Sequence, residues 1–346
     1  MIKTTLAYKE AAKENGILHH EVRIEFQDES TITVDDMDIF SLQISEASSN
    51  TSSFDLGAAN ANQLTLKLNN IDGKFDTHDF SEALITVKIG LELPDGSTEW
   101  LNKGSFNAEP GEESGNTISV KAFDDMVKFD QPYSLSKLAY PATLGNIVRD
   151  ACSCCGVTLA PDTASFDNDN YVVQNRPDDS SVTFRQILQW VGQIACNFFV
   201  INIDGKLSAR WYNTEILESM WGYKKDGVLY NINGELIEDV SGLIIVEETE
   251  GIIKTDALLS GSVIKTDDVV ITGIKVVEED QGDTSEETTY QSGAEGYVLE
   301  ISGNKLIQDG NGATIASYLG ERLNGLQFRP MEVDVPTDPA REAGDL

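Results

Sequence analysis

The sequence predicts a mainly β protein with α+β inserts. Three observations lead there: apolar residues alternate in short runs, turn signals separate those runs, and the apolar period lengthens from two to 3.6 in two stretches. At 346 residues the chain exceeds a single core, and about two to four domains are expected. An apolar content of 40% and 28 glycines suit a soluble, turn-rich β protein.

The first twenty residues, MIKTTLAYKEAAKENGILHH, form a short amphipathic segment of mixed charge. It lacks the apolar core and small-residue cleavage site of a signal peptide, and no run in the chain reaches the roughly 18 apolar residues that span a bilayer. Synthesis in the cytoplasm is expected, with export only as part of an assembled particle. Residues 22–34, VRIEFQDESTITV, predict a hairpin turning at Asp28-Glu29-Ser30. Residues 41–60 are rich in Ser, Asn and Ala, turn at Leu56-Gly57, and are expected at a rim. The runs LTLKL, LITVKIGLEL, GSFNAEP and TISVKAF follow, separated by Asp72-Gly73, Pro94-Asp95-Gly96 and Ser114-Gly115-Asn116. Asp-Gly between alternating runs is a strong hairpin signal, so residues 1–133 predict a small antiparallel barrel or sandwich with no reactive side chain at its centre.

After Pro141 the period changes. Leu144, Ile147, Val148, Ala151, Cys152 and Cys155 make one helical face, with Thr143 as N-cap and Gly156 just past the end. A second helix is predicted over 184–195, where Thr183 and Gln186 have the capping-box spacing. The run NFFVINIDGKLSARWY then predicts a hairpin at Asp204-Gly205, which makes 134–215 a small α+β unit. Strands return in GLIIVEE, GIIKTDALLSGSVIK and VVITGIKVVEE and predict a second barrel over 216–292 and 330–346. The acidic stretch 278–289 is expected as a solvated hairpin tip. A further α+β piece over 293–329 carries Ile315, Tyr318, Leu319, Leu323 and Leu326 at helical spacing.

With 58 acidic against 25 basic residues, the net charge is −33. So few cations release little counterion from phosphates, which argues against stable nucleic-acid binding, and such a surface is repelled by anionic membranes. Two uses of the charge remain open: solubility, or the wall of a conduit along which DNA slides without sticking.

No chemistry is evident. Cys152, Cys154, Cys155 and Cys196 match the thiolate number of a zinc site, but C-x-C-C is not the paired C-x2-C spacing. Cys152 and Cys155 fall on a helix's apolar face, as small buried hydrophobes do, and Cys154 points about 100° from Cys155. A Cys152–Cys155 disulfide is not expected after cytoplasmic synthesis. The three histidines are His19 and His20, expected in an exposed loop before the first strand, and His78; no G-x-S-x-G or H-E-x-x-H occurs. Asp124-Asp125 could pass for a glycosidase pair, but a helix or turn cap fits its place after a strand better. Asp167-Asn168-Asp169-Asn170 lacks the glycine and distant glutamate of a calcium loop. Of Trp100, Trp190, Trp211 and Trp221, Trp190 is expected partly in the core. Trp211-Tyr212 closes a strand and is expected to be exposed, at a protein interface more readily than at a sugar. No catalytic, cofactor-binding or metal residue is therefore expected, and the protein is read as a non-enzyme.

Several phrases carry a resemblance. NNIDGKF, ITVKIGLELPDGS, W-x3-GSF and ISVKAFDDMVKFDQPYS occur in the first unit and SKLAYPATLGNIVRDACSCCGVTLA in the second; TGIKV, GAEGYVLEISGNKLI and IASYLGERLNGLQFRPMEV come near the end. In this order and spacing they resemble the bacteriophage and prophage tail hub (baseplate hub) family, similar to the hub of contractile tails and of type VI secretion spikes. The CSCC cluster departs from the family pattern without disturbing a helix core. The resemblance implies two small antiparallel β-barrels plus two α+β subdomains, in a homotrimer that caps the tail tube and passes DNA. It also implies the tail tube or distal tail protein and the tape-measure protein as partners, and a place in the virion at the tail tip. It implies one more strand after DPAREAGDL, so the second barrel is expected to be truncated and any fibre or wall-degrading module to lie beyond Leu346. A receptor- or carbohydrate-binding tail module, or the non-catalytic N-terminal part of a wall hydrolase, is the alternative.

Overall fold

The computed structural model describes residues 2–13, 16–50, 54–177, 179–212, 222–225, 228–231, 263–264, 267–279, 287–308, 310–328, 331–332 and 337–343. A short helix, α1 (Leu6–Lys13), leads into β1 (Leu18–Glu25), β2 (Thr31–Asp35), β3 (Ile39–Ser45), β4 (Gln63–Asn69), β5 (Leu84–Glu92), β6 (Thr98–Ala108), β7 (Glu112–Ser114) and β8 (Thr117–Phe123). They form one antiparallel sheet in the order β2-β1-β5-β6-β8-β4-β3, with β7 beside β8. The alternation works as expected: Val22, Ile24, Leu64, Leu66, Leu68, Ile85, Val87 and Val120 are fully buried on one face. Val34 of β2 and Ile39, Leu42 and Ile44 of β3 pack on that same cluster, so the sheet curls until its two end strands share one core. Among the described residues no ladder joins β2 to β3, and the ring of strand pairings is open there.

Two expectations are corrected in this unit. Asp72-Gly73 makes a turn but no hairpin, because β4 pairs with β3 and β8 while β5 pairs with β1 and β6. The connection instead drops Phe75 and Phe80 into the core, where they are 1% and 3% exposed. Residues 56–59 are not a rim. Leu56, Ala58 and Ala59 are buried, and Ala58 and Ala59 dock against a strand of the next unit.

The α+β unit follows the local signals closely. It contains β9 (Ala142–Thr143), α2 (Leu144–Cys155), β10 (Thr158–Leu159), β11 (Val172–Val173), α3 (Phe184–Ala195), β12 (Phe198–Ile201) and β13 (Lys206–Arg210). Thr143 and Thr183 cap α2 and α3 by accepting from the Asn146 and Gln186 amides at 3.2 Å, and Gly156 closes α2 in the left-handed region. The predicted hairpin is β12–β13, to which β10 adds in parallel.

Beyond it lie a hairpin of β14 (Gly222–Lys225) and β15 (Val228–Asn231), then β16 (Val263–Ile264), β17 (Val269–Glu279), β18 (Glu287–Gly293), β19 (Tyr297–Ile301), α4 (Gly312–Leu323), β20 (Gln327–Phe328) and β21 (Met331–Glu332). β17 pairs with β18, β19 and β20, while β16 pairs with β21. This sheet runs across the boundary expected at 292–293, because β18 and β19 both take β17 as partner. Ile271, Ile274, Val276, Ile301, Leu319 and Leu323 join Ile147, Leu188 and Phe199 in one core, so α2, α3 and the second sheet are packed as one body. Asn304 Nδ2 donates to the Trp190 carbonyl and to Gln193 Oε1, both at 2.9 Å, across that junction. The run GLIIVEE and most of GIIKTDALLSGSVIK lie outside the described residues, and so do 280–286 of the stretch 278–289 expected as a solvated tip. The two ends of that stretch are instead paired strand. Glu278 is buried because its carboxylate accepts from the Gly310 and Gly312 amides, at 2.7 and 2.9 Å, at the start of α4.

The acid surplus has a visible structural use. In four Asp-x-Ser turns (Asp28-Ser30, Asp79-Ser81, Asp95-Ser97 and Asp179-Ser181) the carboxylate accepts from the serine amide at 2.9–3.0 Å. The serine hydroxyl bonds the same carboxylate, and in the first three turns this bond is the largest cause holding the aspartate below the usual carboxylate range. At Asp179 the bond from Lys305 is larger still.

Gly57 has φ +79, and a Cβ there would lie 2.3 Å from the Gln189 carbonyl oxygen of α3. Gly115 has φ +61 with nothing within 4 Å. Gly115→Ala is expected to lower stability by about 1 kcal/mol through backbone strain alone, and Gly57→Ala by about 3 kcal/mol or more once the clash is added. Urea unfolding of the two variants checks this; equal losses would contradict the close packing of residue 57 on α3.

Candidate functional site

The residues singled out in the sequence do not converge. Cys152 and Cys155 sit buried on α2, Cys196 ends α3 in the left-handed conformation (φ 59), and Cys154 is exposed. Burial pushes the Cys152, Cys155 and Cys196 thiols up to about 12, which keeps them protonated and poor as ligands or nucleophiles. Among the described residues no group of three or more His, Cys, Asp or Glu is placed to hold a metal ion. Asp167 pairs with Arg322 at 2.9 Å, Asn168 donates to the Ile194 carbonyl at 3.2 Å, and the Asp169 carbonyl accepts from Gly145 N at 2.9 Å. That loop fastens α2, α3 and α4 together.

His19 and His20 lie within β1, not before it, because pairing with β5 begins at Leu18. Both rings reach Asp36, at 3.2 and 2.7 Å. Burial raises the Asp36 carboxyl, but the bonds from His20 and His19 outweigh it and hold the group below its ordinary value. His78 stacks on Phe26 with ring centres 4.5 Å apart. Trp190 is buried and Trp100 is 43% exposed. Trp211 and Tyr212, expected to be exposed, are half-buried with Phe54, because Phe54 also stacks on Phe328 and draws the group inward. Trp221 lies outside the described residues.

Asp124 is the N-cap of a 3-10 turn over Asp125–Asp130: Oδ1 accepts from Met126 N at 3.0 Å and Oδ2 from Asn62 N at 3.1 Å. Burial pushes its carboxyl up to about 7. Asp125 pairs with Lys128 at 2.8 Å and accepts from Asn107 Nδ2 at 3.0 Å. Neither faces a sugar-sized space. The adjoining cleft, lined by Asn62, Lys103, Asp124, Arg210 and Glu342, has a volume of about 30 Å³. Small-molecule pockets run to roughly 300–1,000 Å³, so this cleft admits a water or two.

Sequence reasoning missed a seam beside that cleft. Two residues of β6, Lys103 and Gly104 (φ +102), stand opposite one residue of β5, and this bulge turns the lysine inward. Buried Lys103 Nζ donates to the carbonyls of Pro339 (3.0 Å) and Arg341 (3.1 Å) and lies 3.7 Å from Glu46 Oε1. Ile2 N donates to the Ala340 carbonyl, Tyr8 Oη to Asp338 Oδ1, and Ala343 N to Glu46 Oε2. Burial and then Asp338 push the Tyr8 phenol up. Residues 337–343 thus strap onto the first unit and α1, although 330–346 was expected in the second barrel. The reason is that Ala340 is buried among Tyr8, Ala11, Leu91 and Leu101. The only sequence signal was Lys-Gly interrupting the alternation of β6.

No protein-family model matches the chain, and no curated protein does. Solved structures do. The 43 kDa tail protein of prophage MuSo2 from Shewanella oneidensis is similar at TM-score 0.44 and 10% identity, over 87% of this chain and 76% of that one. The tail protein from Neisseria meningitidis MC58 is similar at 0.45 and 10%, over 88% and 78%. A chain of the Francisella PdpA–VgrG complex is similar at 0.40 and 10%, over 86% of this chain and 46% of that one. Among the described residues no helix is long and apolar enough to cross a membrane.

Two outcomes follow from the seam and the cap. Lys103→Met leaves Glu46 and two carbonyls without their buried cation and is expected to lower stability by about 3 kcal/mol, part of which Glu46→Gln restores; urea unfolding of the single and double variants reads both. For Asp124 the folded value is raised, so the folded chain keeps a proton that the unfolded chain has lost above about pH 4. Stability from this group therefore falls as pH rises towards 7 and levels off above. Relative to Asp124→Asn, the wild-type urea midpoint should drop between pH 5 and 7; a constant difference would contradict the burial argument.

Proposed function

We propose that this chain is a non-catalytic structural subunit of a phage or prophage tail tip or baseplate. In this reading it acts as a trimeric hub that caps the tail tube and passes DNA during infection, with the tube or distal tail protein and the tape-measure protein as neighbours in the virion. The observation that carries this reading is the ordered set of hub-like phrases, which extends from NNIDGKF to FRPMEV over most of the chain. Its fold would be two small barrels with two α+β subdomains. The curled first sheet fits one barrel, and the paired ends β16 and β21 fit the base of the second. β2 and β3 each have a strand edge without a ladder partner among the described residues, and such edges are ready sites for joining subunits.

The chemistry of the site supports a scaffold over an enzyme. Buried titratable groups cap turns, thiols are held protonated, and the cleft is water-sized. A sugar-binding tail module is less favoured, because Trp211 and Tyr212 are half-buried in an aromatic cluster with Phe54 and Phe198 and do not stand out as a stacking platform. The charge of −33 suits an acidic conduit as well as solubility.

Light scattering on a size-exclusion column is the test. A mass near three times 37.8 kDa is expected, more fully populated at high salt as screening relieves the repulsion between acidic subunits. A monomer at high concentration and high salt would overturn the ring.

A further inference from the structure

We propose that one end of the first sheet, where Met37, Phe40 and Ile71 stand out, is a docking surface for a protein partner that offers an apolar pocket rimmed by lysine or arginine. The three side chains are 87%, 60% and 71% exposed. Single exposed apolar residues need no explanation, but three large ones brought together at one end of a sheet do.

Each is held outward by a specific local device. Met37 rides on a turn closed by Asp38 N donating to the Asp35 carbonyl (3.0 Å) and by Met37 N donating to Asp35 Oδ1 (2.9 Å). Phe40 is the extra residue of a bulge between Ile39 and Ser41, which turns it out while Ile39 and Leu42 stay on the core. Ile71 sits on a turn in which its amide donates to Asn69 Oδ1 at 3.2 Å. Asp38 ties the two turns together: its carbonyl accepts from Asn69 N at 2.7 Å and its carboxylate pairs with Lys74 at 2.6 Å. A surface ordered in advance binds with less loss of side-chain and loop entropy.

Charge identifies the occupant. Asp35, Asp36 and Asp72 are exposed around the apolar trio; Asp36 is also bonded by the His19 and His20 rings, and Lys74, the single cation of the two turns, is already paired with Asp38. Lys67, opposite Ser41 on β4, is the next cation along the sheet. A second copy meeting this surface face to face would set those aspartates against their own kind, and an anionic membrane is repelled for the same reason. A cation-rimmed apolar partner meets both demands. This inference needs no ring, and it requires that any ring join its copies away from this end of β2 and β3.

The probe is a labelled amphipathic peptide of alternating leucine and lysine, titrated with the full chain and followed by fluorescence anisotropy, with a leucine–glutamate peptide beside it. Binding of the cationic peptide alone is expected. It should weaken at least tenfold in the variant Met37→Ser, Phe40→Ser, Ile71→Ser, whose net charge is unchanged, and also in Asp36→Asn, Asp72→Asn, which leaves the apolar trio in place. Circular dichroism checks that both variants fold. Equal peptide affinity in wild type and the serine variant would place the binding on the acidic surface at large and overturn the proposal. Wild-type self-association that the serine variant abolishes would overturn it in favour of a second copy. Binding to vesicles of anionic phospholipid would overturn it in favour of a membrane.

Discussion

Gly57 and Gly192 meet with no side chain between them, and the arrangement of the molecule depends on that contact. A Cβ on Gly192 would fall 2.8 Å from the Gly57 Cα and 2.6 Å from the Asn197 carbonyl oxygen. The approach brings residues 54–62 down onto α3 and β12. Ala59 bridges Phe199 in parallel, and Phe199 N donates to the Ala58 carbonyl at 2.8 Å. Asn62 is gripped by Asp124 on the far side of the same segment. Phe54, at its start, stacks on Phe328 of β20. Nine residues that contribute to no strand of the first sheet therefore join that sheet to the α+β core and to the second sheet.

The strap works beside the same junction, at the cleft that Asn62 and Asp124 share with Lys103 and Glu342. A bulge in β6 sends Lys103 into a place where a cation is tolerable only with oxygen partners, and residues 337–343 supply them. Arg210 of β13 reaches Glu342 at 3.3 Å, so the strap touches the α+β unit as well as the first sheet. Polar burial in this protein serves registration of parts. The two most buried ionic groups near the cleft, Asp124 and Lys103, each hold backbone groups in place and leave only water-sized space between them.

Local structure was legible in the sequence and partner choice was not. Thr143, Gly156 and Thr183 marked helix ends because caps act within one turn of the chain. The alternation of LTLKL and TISVKAF gave the buried face for the same reason. Asp72-Gly73 misled because a turn dipeptide sets a local bend and says nothing about which strand lies alongside; Phe75 and Phe80 found better burial by crossing the core. The Ser/Asn/Ala composition of 41–60 read as a solvent rim, yet small residues are what a close backbone approach requires. The destination of 337–343 was invisible for a third reason: Lys103 lies more than two hundred residues earlier in the chain, and no periodicity links them. The proposed function rests on phrase order, because the described residues bring no metal-holding group together and the residues singled out in the sequence do not converge.

Native-state hydrogen exchange at the amides of Asn62, Asp124 and Phe199 is the most direct test of the claim that 54–62 locks the units into one body. The Phe199 amide bonds Ala58, and the Asn62 and Asp124 amides bond each other's residues. If the lock is as described, all three exchange only through global unfolding, as slowly as the centres of β4 and α3. Exchange at loop-like rates, with β4 and α3 still protected, would show the units opening independently and would contradict the account.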